Sequence, residues 1–86
     1  MGVSETRALA TELAIEEMER VRLLPYEEIV AAEPAPVPES PDYIRSVSVA
    51  IVGESPEALY AYRLITVTVE PPAGLPAVSI STAVAE

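Results

Sequence analysis

Apolar residues recur every three to four positions up to Leu24 and every second position from Tyr43 onward. No single element satisfies both periods, so the chain must contain a helix followed by strands. The two regimes meet across residues 31–41, Ala-Ala-Glu-Pro-Ala-Pro-Val-Pro-Glu-Ser-Pro. Proline at that density rules out a helix and favours extended, semi-rigid backbone. The stretch reads as a spacer between helix and sheet, with little hydrogen bonding of its own. At 86 residues the chain is expected to form one domain, 1–86, with a thin core.

The helical part runs from residue 4 to about 24. Ser4 is the expected N-cap, and Glu5 puts an acid in the first turn, where the helix dipole favours it. Pro25 ends the helix near Leu24. On a 3.6-residue period, Ala10, Leu13, Ala14, Met18, Val21 and Leu24 share one stripe, and Glu12, Glu16, Glu19 and Arg22 lie mostly off it. Glu17 falls inside the apolar stripe. Leu9 and Ile15 fall outside it, on flanks that a lone domain would leave wet.

Three strands follow. In 43–52, Tyr43, Val47, Val49 and Ile51 alternate with Ile44, Ser46, Ser48 and Ala50. In 62–70, Ile65, Val67 and Val69 alternate with Thr66 and Thr68, and in 77–84 Val78, Ile80, Thr82 and Val84 alternate with Ser79, Ser81 and Ala83. Pro71-Pro72-Ala73-Gly74-Leu75-Pro76 marks the turn between the last two. Ser55-Pro56-Glu57 offers a cap, a proline at the first helical position and an acid, so a short helical turn is expected through Leu59. The expected class is α+β: a long N-terminal helix packed on a small three-stranded antiparallel sheet over 43–86. The Ser/Thr face of that sheet is free to meet water.

Composition narrows the chemistry. Fourteen acids against five arginines give a net charge of −9. That balance is wrong for gripping phosphates or anionic lipid surfaces. There is no His, no Cys and no Lys. The commonest general base, the commonest metal ligands and the Schiff-base amine are therefore all missing. Glu16-Glu17 and Glu27-Glu28 are adjacent pairs, and neighbours on a helix diverge by about 100°. Glu12, Glu16 and Glu19 share a face that reads as solvated acid, with at most weak cation binding. Three scattered glycines cannot build a phosphate-cradling loop. No catalytic constellation, cofactor site or metal site is expected.

The residues do resemble a family. Arg7–Ile29 has an Ala-rich start, the cluster Glu16-Glu17-Met18-Glu19, then Arg20, then Leu24-Pro25-Tyr26. This block is similar to the end of the long helix in PilV-like minor type IV pilins and in the minor pseudopilins of type II secretion. Tyr62–Glu70, the Pro/Gly turn and Val78–Val84 resemble the closing hairpin of those proteins. The two blocks cover about two thirds of the chain, and their order and spacing carry the likeness. The leader, the apolar first half of the helix, and the cysteine pair of many major pilins have no counterpart here.

The resemblance implies a non-enzymatic structural subunit that primes assembly of a pilus or pseudopilus or sits at its tip, with other pilin or pseudopilin subunits as partners. It implies a periplasmic or surface location, and membrane contact only through an apolar segment of about 20 residues encoded ahead of Val3. Leu9 and Ile15 would then face neighbouring subunits. Glu17 would be a buried acid paired by Arg45 or Arg63 from the sheet. The rival readings are an acidic protein-binding inhibitor or nucleic-acid mimic, prompted by the net charge, and a small metal-binding module or hydrolase, prompted by the glutamate spacing.

Overall fold

The computed structural model describes residues 2–53 and 61–86. Helix α1 spans Val3–Arg22, and a single 3₁₀ turn follows at Tyr26–Glu28. The strands are β1, Ala32–Val37; β2, Ser40–Val52; β3, Tyr62–Glu70; and β4, Val78–Ala85. They form one antiparallel meander in the order β1-β2-β3-β4. The fold is α+β, with α1 packed on the sheet, and the sheet has four strands where the sequence led us to expect three. The helical turn expected at Ser55–Leu59 lies outside the described residues.

The extra strand is the proline-rich stretch. Extended backbone is already close to strand geometry, so residues 32–37 pair with β2 through a turn at Pro38-Glu39. Pro34 and Pro36 lack donors, which an edge strand tolerates because one of its sides needs none. The ladder is irregular, with register shifts between Ala32 and Ala35 and between Pro36 and Val37. The stretch expected to be a spacer with little bonding of its own is thus a bulged edge strand.

The helix starts slightly earlier than expected. Gly2 is the cap residue in extended conformation, and Ser4 lies within the first turn. The Glu5 carboxylate accepts from the Gly2 N–H at 3.4 Å, and the Thr6 hydroxyl donates to the Gly2 carbonyl at 3.1 Å. At the far end, Leu24 N–H donates to the Val21 carbonyl at 3.1 Å before Pro25 turns the chain. Arg20 and Arg22 fill the last turn, where the dipole favours cations.

The core forms where the two periodic faces meet. Ala10 and Ala14 are fully buried, and residues this small let the helix lie close to the strands. Leu13, Met18 and Val21 complete its buried stripe, as the 3.6-residue period requires. Ile65, Val67 and Val69 of β3 are fully buried beneath it. Tyr43 and Val47 of β2, Val37 of β1 and Ile29 close the other side. The helix lies over β3 and β4, with less contact to β2.

The opposite face of the sheet is hydroxylated. Ser46, Thr68 and Ser79 are neighbours across β2, β3 and β4, and so are Ser48, Thr66 and Ser81. Thr66 and Ser81 share a hydrogen bond of 2.9 Å, as do Thr68 and Ser79. The molecule measures 51 × 20 × 17 Å. Thirteen residues of β2 span roughly 43 Å, so the long axis follows the strands.

Candidate interaction surface

The sequence singled out three residues on α1, and the structure separates them. Successive residues turn by about 100° around a helix. Leu9, Leu13, Glu16 and Arg20 therefore fall to one side of Ala10, and Thr11, Ile15 and Met18 to the other. Arg45 of β2 identifies the first flank. Its Nη1 donates to the Leu13 carbonyl at 3.1 Å and lies 3.6 Å from Glu16 Oε1. That flank faces β2, so the flank carrying Ile15 faces β4.

The β2 flank is sealed. Glu17 is buried, and Arg20 grips its carboxylate with two bonds, Nε to Oε1 at 2.7 Å and Nη2 to Oε2 at 2.9 Å. Arg45 Nη2 stands 4.0 Å from Glu17 Oε1. The closest partner is thus on the helix itself, three residues on, and Arg45 of the sheet is the second. Arg63 is elsewhere: it donates to the Ile29 carbonyl at 2.6 Å, and its guanidinium lies 4.6 Å from the Tyr26 ring centre. The hydrogen bonds from Arg20 hold the Glu17 carboxyl below its ordinary value of 4.5, and the nearby charges of Arg20 and Arg45 help; burial opposes them. Leu9, on this same flank, is half-buried and packs against the core.

The β4 flank is less complete: Met18 on it is buried, but Ile15 is not. Ile15 is 48 % exposed. Val78, Ile80 and Val84 of β4 are only partly buried, whereas Val69 and Val67 of β3, opposite the first two, are fully buried. The apolar layer between helix and sheet therefore runs out to solvent at this side. Covering one such side chain is worth roughly 1.5–3 kcal/mol before ordering costs.

The remaining clusters offer little chemistry. Among the described residues no three acidic groups come together in a way that would hold a metal ion. Glu19 pairs with Arg22 at 2.7 Å on the exposed face, and Glu16 points to Arg45. A cavity of about 70 Å³ lies between Val3, Thr6, Arg7, Pro71, Leu75 and Pro76. Ligand pockets begin at about 300 Å³, so this one is too small for more than a few atoms.

Compared with known proteins, the chain matches no family model, no curated protein and no solved structure. Its function must therefore be argued from its own surface. Ile15 is one of several large apolar residues left exposed among the described residues; Leu23, Val3, Val30 and Ile51 are more exposed. Sequence periodicity placed Leu9 and Ile15 outside the stripe but could not tell the two flanks apart. That difference depends on which strand lies under which side. Only the position of Arg45 in the sheet, 32 residues from the carbonyl it binds, reveals it.

Proposed function

We propose that this chain is the folded portion of a structural assembly subunit, of the minor type IV pilin or type II secretion pseudopilin kind, and that it has no catalytic role. The observation that carries the reading is the uncovered flank of α1: a long N-terminal helix lies on an antiparallel meander with Ile15 turned away from its own sheet. In a helix-cored filament each subunit's helix is sandwiched between its own sheet and its neighbours. An apolar residue beside the buried stripe then meets a partner instead of water. The order of elements, helix and then closing antiparallel strands, agrees with a truncated pilin-like fold.

On this reading the partners are sister pilin or pseudopilin subunits, and the protein works in the periplasm or at the cell surface. No helix among the described residues is long and apolar enough to cross a membrane. The anchor would be encoded ahead of Val3. The test has two arms. The native gene is expected to encode a basic leader and an apolar segment of about 20 residues there. Restoring that segment and substituting Ile15→Ser is expected to leave the domain folded and to reduce filament assembly or capture by a sister subunit. A native start at Met1 with nothing upstream, or unchanged assembly in the variant, refutes the reading.

A further inference from the structure

The two edges of the sheet are built differently. β1 carries Pro34 and Pro36 and a broken register, devices that keep a second strand from pairing with its outer side. β4, Val-Ser-Ile-Ser-Thr-Ala-Val-Ala, has no proline and no ionisable residue. Its ladder with β3 runs without a shift from Val69↔Val78 to Tyr62↔Ala85. Among the described residues no strand pairs with its other side. An uncharged strand of eight residues with a free row of donors and acceptors is a template for another strand.

We infer that β4 pairs with β4 of a second copy of this chain, antiparallel, giving one continuous eight-stranded sheet with both helices on the same face. Two features choose a second copy over a lone extended peptide. The first is height. A peptide strand would satisfy the β4 backbone but would leave Ile15, one layer above, uncovered. A second copy brings its own helix at that level.

The second is spacing. Strands lie about 4.8 Å apart, and α1 sits over β3 and β4. The two helices of the pair would then stand two strand spacings apart, about 10 Å, which is within the packing distance of helices in contact. The helix and β4 run in the same direction. The start of α1 lines a cavity with Pro71 and Pro76, while the Tyr26 turn beyond its end meets Arg63, whose strand partner is Val84. Ile15, in mid-helix, is therefore level with the middle of β4, and a two-fold axis there brings the two isoleucines toward each other. The charge pattern agrees: in a molecule of net charge −9, β4 is an edge along which two copies can meet without opposing carboxylates. The inference goes beyond the filament reading and needs only two copies of this chain.

The test is light scattering on the whole chain from about 10 μM to 1 mM, together with single-cysteine cross-linking. The chain has no cysteine, so an introduced one can form a disulfide only between molecules. The expected mass at high concentration is that of two chains. Ser81→Cys, beside the two-fold axis, is expected to cross-link under mild oxidation, and Ala35→Cys on β1 is not. Ile15→Glu, on an exposed position, should keep the far-UV circular dichroism and weaken dimerisation by roughly tenfold or more. A single-chain mass throughout, cross-linking from β1 and β4 alike, or a dimer untouched by Ile15→Glu would overturn the inference. Open-ended growth with concentration would also overturn it, in favour of head-to-tail association of the filament kind.

Discussion

The two flanks of α1 are made of similar residues and finished in opposite ways. Toward β2, a half-buried leucine and a buried carboxylate are closed in by Arg20 and Arg45. Toward β4, an isoleucine stands in solvent above a strand whose own apolar side chains are only partly covered. The difference lies in the sheet more than in the helix. β2 lies beyond the helix on one side and supplies a cation, while on the other side the sheet stops directly beneath it. A helix flank is therefore completed by whatever strand lies below it, and a missing strand marks the place where another molecule can complete the layer.

Substitutions along α1 break this comparison at different points, and the largest effect should come from the core. Leu13→Ala removes a large side chain from the buried stripe. We expect a loss of about 3 kcal/mol in urea unfolding, against a total of roughly 5–15 kcal/mol for a small domain. Glu17→Ala opens the sealed flank by leaving Arg45 without its nearest buried acid. The expected cost is about 1–2 kcal/mol, moderated because Arg20 is itself largely exposed. A loss as large as that of Leu13→Ala would mean that the ion pair, and not the apolar stripe, anchors the helix.

Acidification sharpens the same point. The Glu17 carboxyl is held below its ordinary 4.5 in the folded state, so its contribution is present above that value. The contribution is lost as pH falls through the lowered folded value. The melting temperature of the parent should therefore drop on acidification below 4.5 more steeply than that of Glu17→Gln. Parallel curves would show that other carboxylates govern acid unfolding.

The smaller effects separate Leu9 from Ile15. Leu9→Ser should cost about 1 kcal/mol, because Leu9 packs against the core. Ile15→Ser should change the stability of the monomer by less than about 0.5 kcal/mol while weakening association. Equal losses from both, measured in dilute solution, would erase the distinction between the flanks.

Much of this architecture was legible in the chain. The stripe of α1 and the alternation in β2, β3 and β4 are direct consequences of side-chain period, and the buried residues fall where those periods put them. β1 was not legible, because proline signals a break in a strand interior and is tolerated at an edge. Whether residues 32–37 lie at an edge depends on the whole sheet order. The cap at Gly2 was hidden for a local reason: Ser4 is the better capping residue by type, but Glu5 and Thr6 bond back to Gly2. The partners of Glu17 divide the same way. Arg20 is visible at helix spacing, whereas Arg45 depends on register. The candidate surface was the least legible part, because exposure on one flank depends on a strand that is not there.

The long, narrow outline of the molecule has a hydrodynamic consequence. A body of 51 × 20 × 17 Å tumbles faster about its long axis than end over end. Joining two such bodies side by side along β4 adds more to the width across the strands than to the 51 Å length, so the pair is squatter than either half. Its frictional ratio should fall as its mass doubles. Joining them end to end would raise that ratio instead, so sedimentation velocity can distinguish a broad sheet from a growing thread by drag alone.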